Sequence, residues 1–227
     1  MADKPILFSA PMIRALLEGR KTMTRRLLKP QPPRWDHFGK DIMDWGLSGI
    51  YQDEMNSAPN KWWLDVQTDV DDNTHSEIDV KYAAGDRLWC REAWHAARSL
   101  NSVAPRDVPR DADIEYAATA RSYSEIGLKG KLRPSMFMPR WASRLTLIVE
   151  AVKVERLHDI SEVDAIAEGC IPDNANLNPN YIGPARSIFE QLWNSINGTG
   201  AWDANPWVVA VSFRVVKANI DHIGDAA

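Results

Sequence analysis

Residues 145–157, LTLIVEAVKVERL, are an almost unbroken apolar run dense in β-branched side chains. Such a run suits a strand better than a helix, and its length predicts a bent strand of a small barrel. A second apolar run, WVVAVSFRVV at 207–216, starts after Pro206 and predicts the closing strand. Shorter strands are expected at Ile6–Phe8, at Thr22–Leu28 and near 113–120. Residues 83–94, AAGDRLWCREAW, turn at Gly85 and Asp86, after which Leu88, Cys90 and Glu92 alternate with Trp89 and Arg91.

Helices are expected in three places. The first has Ser9 as N-cap, Pro11 in its first turn, Met12, Leu16 and Leu17 at helical spacing, and Gly19 as its stop. The second runs from Ser161, with Asp164 in a box-like position, to Gly169, and carries Glu168 at its end. The third, 184–197, puts Ile188, Leu192 and Ile196 on one face, with Phe189 and Trp193 beside them. Strands mixed with short helices, without a repeated βαβ unit, predict an α+β fold on a small mixed β-barrel rather than a doubly wound sheet. Patterning fades over about 30–80 and 95–135, which read as two long insertions in a single domain over 1–217; residues 218–227 read as a flexible tail.

The chain has 227 residues and a net charge of -4, which argues against a general polyanion binder. Its charge is uneven: six Lys or Arg and no acid lie between Gly19 and Trp35, whereas 36–80 holds eleven Asp or Glu against two Lys. A local basic site in an acidic protein favours a small anionic or nucleobase-bearing ligand; the competing reading is solvated surface. Cys90 and Cys170 have neither metal-ligand spacing nor the density of a stapled secreted domain, so a reduced, cytoplasmic protein is expected. No stretch reaches the ~18 apolar residues of a membrane span. His37, His75, His95, His158 and His222 show no paired spacing, so neither zinc nor another cofactor is expected, and no glycine-rich phosphate loop is present.

Two basic segments are candidates for chemistry. GRKTMTRR at 19–26 sets Lys21 and Thr24 among Arg20, Arg25 and Arg26, which makes either an anion-binding corner or a nucleophile with its base. PRWASR at 139–144 offers Arg140, Trp141 and Arg144 as a nucleic-acid clamp, or else a packed tryptophan with a salt-bridged rim. Trp89, Trp193 and Trp207 fall in regular elements and are expected in the core; Trp62 and Trp63 are candidates for covering a pocket or partner surface.

In order, these motifs resemble the ASCH domain family, a branch of the PUA-like β-barrels, and the segments LW-RE-W and MPRWASR resemble larger members encoded by phages and prophages. The resemblance covers both ends and the middle of the chain and implies a cleft that holds a nucleobase, nucleoside or RNA. At GRKT-x-T the chain is similar to small bacterial members that hydrolyse the amide of N4-acetylcytidine. That similarity implies a catalytic set of Lys21, Thr24 and Glu168, with Arg20, Arg25, Arg26, Arg140, Arg144 and Trp141 as substrate-binding candidates. Thr24 would attack with Lys21 as base, or Glu168 would activate water directly. The rival readings are a module that binds RNA, single-stranded DNA or a modified base without turnover, and a metal-independent ribonuclease.

Overall fold

The computed structural model describes residues 1–31, 47–51, 61–66, 74–119, 130–171 and 184–225. In chain order its elements are β1 (Asp3–Leu7), α1 (Ala10–Leu17), β2 (Met23–Leu27), β3 (Leu47–Tyr51), β4 (Lys61–Val66), β5 (Thr74–Asp79) and β6 (Arg87–Arg91). These are followed by β7 (Trp94–His95), β8 (Glu115–Tyr116), β9 (Thr146–Arg156), α2 (Glu162–Ala167), α3 (Ala185–Asn197) and β10 (Trp207–Val216).

The two long apolar runs form the spine of the fold. β9 and β10 pair antiparallel from Arg156 opposite Trp207 to Thr146 opposite Val216. Between Ser212 and Phe213 the register passes from Ala151 to Val149, so Glu150 is an extra residue on β9. That bulge bends the pair, as the length of the run predicted. One end of β9, Thr146–Ile148, pairs with β6, and the other end of the ribbon, Val208–Ser212 of β10, pairs with β2. The sheet order is β1-β6-β9-β10-β2, and only the β1–β6 pair is parallel.

This α+β sheet is open, which corrects the expectation of a barrel. β1 and β2 are its edges, and no backbone ladder joins them among the described residues. Instead Arg26 reaches across and donates to the Leu7 carbonyl at 2.8 Å. Side chains and a cleft occupy the seam, so the two edges approach without zipping together.

Ile6, Leu88, Leu147, Val149, Val211 and Phe213 pack with Met12, Ile13 and Leu16 of α1 in the main core. Each such side chain contributes roughly 1.5–3 kcal/mol by leaving water. A second cluster packs α2 and α3 on Leu157, Trp202 and Val208. In the first expected insertion, β3, β4 and β5 form an antiparallel meander. Trp62 of that meander is buried in the main core rather than left as a cover for a partner, while the Trp63 side chain, Trp35, Trp45 and His37 lie outside the described residues. The second insertion has its own core of Trp94, Ala96, Val108, Met138 and Ala142. The strand expected at 113–120 shortens to Glu115–Tyr116 because the chain turns at 117–119.

The Gly85-Asp86 turn is a brace. The Asp86 carboxylate accepts from the backbone N–H of Ala2 at 2.8 Å and of Ala83 at 3.0 Å, and it pairs with Lys4. Burial raises its pKa, but Lys4 and the two N–H groups outweigh that and hold it below the usual carboxylate value. The expected flexible tail at 218–227 is docked in its described part. Ile220 is buried, and the Asn219 amide donates to the carbonyls of Arg140, Trp141 and Ser143.

Candidate functional site

Two helix ends meet at Lys21. At the end of α1 the chain turns at Gly19 (φ +75°), and the N–H groups of Arg20 and Lys21 both donate to the Ala15 carbonyl. At the end of α2 it turns at Gly169 (φ +90°), and Thr22 N–H donates to the Ala167 carbonyl at 2.8 Å. A side chain at Gly169 would put its Cβ 3.2 Å from that of Ala15 and 3.4 Å from that of Lys21, so the approach of the two ends requires glycine.

The Lys21 side chain is only 2% exposed. Its Nζ donates to Glu168 Oε2 and to the Glu168 carbonyl, both at 2.7 Å. Glu168 stands at the C-cap of α2, where the helix dipole disfavours an anion, and this lysine offsets that cost. Burial pushes the Lys21 pKa down; Glu168 opposes the shift and Arg26 adds to it, and the net direction is down.

Strand alternation then divides the basic octapeptide. Thr24 and Arg26 share one face of β2, whereas Met23 and Arg25 take the other. Thr24 is buried on the cleft wall, and its hydroxyl has no hydrogen-bond partner among the described residues. The Arg26 guanidinium lies 5.1 Å from the centroid of the Phe8 ring, and Lys21 Nζ lies 5.8 Å from it.

Arg25 is buried among three carboxylates. Its Nε and Nη2 donate to Glu155 Oε1 at 2.9 and 2.7 Å, Nη2 also meets Asp164 Oδ2 at 2.8 Å, and Nη1 lies 3.5 Å from Glu168 Oε1. Glu155 went unnoticed in the sequence. The available signals were an acid inside an apolar strand and the four-residue spacing of Asp164 and Glu168, which sets both on one face of α2.

Lys21, Thr24, Glu168, Arg25 and Arg26 all line one cleft of about 540 Å³ along the seam between β1 and β2. Phe8, Tyr82, Phe189 and Trp193 add aromatic wall. A mostly apolar pocket with a few convergent polar groups suits a flat ring with a polar edge.

The remaining candidates lie off the cleft wall. Arg20 pairs with Glu18 at the surface. Arg140 joins Asp3 and Asp221, each at 2.6 Å. Arg144 forks onto Glu92 at 2.8 and 2.9 Å and lies 3.9 Å from the centroid of the Tyr116 ring. Burial raises the Glu92 pKa against the pull of Arg144. Trp141 packs on the third core. PRWASR is thus a packed tryptophan with a salt-bridged rim, the second of the two arrangements its sequence allowed.

Among the described residues no group of three or more His, Cys, Asp and Glu side chains is arranged to hold a metal ion, and no helix is long and apolar enough to cross a membrane. Searches against models of protein families, curated proteins and solved structures found no match to the chain.

Proposed function

We propose that the chain is an ASCH-type protein of PUA-like fold whose seam cleft hydrolyses the amide of an N4-acylated cytidine. The observation that carries this reading is the buried Lys21–Glu168 pair lining the same cleft as the Thr24 hydroxyl, which has no hydrogen-bond partner among the described residues. Lys21 in its neutral form takes the hydroxyl proton as Thr24 Oγ1 bonds to the acyl carbon. Arg26 faces the resulting oxyanion. The C–N bond then breaks as Lys21 returns the proton to the exocyclic nitrogen, which leaves cytidine. Water then attacks the acyl-threonine as Lys21 takes its proton, and the ester bond breaks as Lys21 returns that proton to Thr24 Oγ1, which releases the carboxylic acid and restores both Thr24 and neutral Lys21. Both Glu168 oxygens already face cations, which favours a role in holding Lys21 over direct activation of water.

Release of acetate from N4-acetylcytidine tests the reading, alongside a panel of other N4-acyl cytidines. Turnover is expected with the native chain and not with Lys21→Met or Thr24→Val. Tight binding of the nucleoside without turnover would replace the enzyme with a binding module. Cleavage of a labelled RNA without metal, lost in Lys21→Met, would replace it with a ribonuclease.

A further inference from the structure

We infer that Arg25 is a positioning residue that holds the Glu168 carboxylate aimed at Lys21 while Lys21 exchanges its proton. The inference rests on the proposed role of Lys21 as base, and its first test needs no turnover.

A base paired so closely with one carboxylate has a difficulty. When Lys21 gives up its charge, Glu168 is left as a buried anion unless a second cation stays beside it. Arg25 is that cation, with Nη1 3.5 Å from Glu168 Oε1 on the side away from Lys21. At that distance it acts through charge more than through a tight hydrogen bond. It also remains charged throughout, which a lysine in its place would not guarantee.

Its own position is fixed from three sides. Glu155 on β9 and Asp164 on α2 take Nε and Nη2, and Met23 Sδ sits 3.2 Å from Nη1. Lys153 pairs with the other oxygen of Glu155. Arg26 and the Cys170 thiol face Lys21 from the remaining sides, and burial pushes that thiol up to about 12, so it stays protonated at neutral pH. Asp79, Lys81 and Lys29 lie farther along the cleft wall. The unshared job of Arg25 is therefore to compensate Glu168 independently of Lys21.

The test is a titration of Lys21 Nζ, followed by NMR of lysine-labelled protein, in the native chain, Arg25→Met and Arg25→Lys. Arg25→Lys keeps a cation for Glu155 and Asp164 but loses the fork that reaches Glu168. In both variants the Lys21 midpoint is expected to rise by about one pH unit or more, because Glu168 then depends on Lys21 alone. If Arg25→Met does not fold, Arg25→Lys is read by itself. An unchanged midpoint in folded Arg25→Lys, whatever its stability, would overturn the inference and leave Arg25 as a brace between β2, β9 and α2. Where N4-acetylcytidine is turned over, the same variant should lower kcat with little change in KM and shift the pH–rate profile upward. An absence of turnover in the native chain would count against the proposed reaction while the titration still decides the role of Arg25.

Discussion

GRKTMTRR and PRWASR are both short, basic and interrupted by uncharged residues, yet they do opposite things. The first crosses from a helix end into an edge strand, where Thr24 and Arg26 line the cleft and Arg25, also on its wall, is held in a nest of carboxylates. The second lies on a single-turn 3-10 helix, Arg140–Ala142, and its flanking arginines are taken up by Asp3, Asp221 and Glu92. Basic composition alone therefore says little about ligand binding. What separates the segments is whether backbone geometry leaves a polar group facing an open cleft.

The contrast is tested most severely by activity. Lys21→Met and Thr24→Val are expected to cut turnover of an acylated cytidine by roughly 10²–10⁴-fold each. Their double variant should be little worse than either alone, because the two side chains act as one unit. Arg140→Ala should leave the same rate unchanged, and a comparable loss there would erase the distinction between the segments.

Next in size is Gly169→Ala. A Cβ in left-handed backbone, 3.2 Å from Ala15 Cβ, should cost more than about 1 kcal/mol in a denaturant melt. It should also lower activity by displacing Lys21. Equal stability in the variant would mean that the helix ends tolerate a looser approach.

A smaller effect is expected in the pH dependence of stability. Burial sets the folded pKa of Lys21 below its ordinary value of 10.5, so between the two values the unfolded chain binds more protons. Stability should therefore gain a contribution as pH rises through the folded pKa, and that gain should be complete above 10.5. The native chain should gain relative to Lys21→Met across that window; parallel curves would place Lys21 in a less desolvated setting. The smallest effect concerns Arg140, which is 38% exposed: Arg140→Ala should cost at most about 1 kcal/mol, and less in high salt.

Much of this was legible in the sequence because local rules governed it. The β-branched run became β9, Ser161 caps α2 by accepting from Asp164 N–H, and Gly19 and Gly169 stop their helices with positive φ. Lys21, Thr24 and Glu168, the set that the family resemblance implied, line one cleft. Glu155 was not legible, because its pairing with Arg25 joins residues 130 positions apart and depends on the β2–β10–β9 register. The open seam was hidden for a similar reason. Apolar periodicity marks strands, but whether two edges zip together depends on what their side chains place between them. The docked tail depended on Asn219 meeting three carbonyls of the PRWASR turn, which no local pattern encodes.

The most direct measurement is a crystal structure of Thr24→Val with N4-acetylcytidine bound. The expected result has the base among Phe8, Tyr82 and Trp193, with the acetyl carbonyl carbon within about 3.5 Å of the substituted side chain at position 24 and the exocyclic nitrogen facing Lys21. A nucleoside seated on Arg140, Trp141 and Arg144, with the seam cleft empty, would show that the wrong basic segment had been assigned the chemistry.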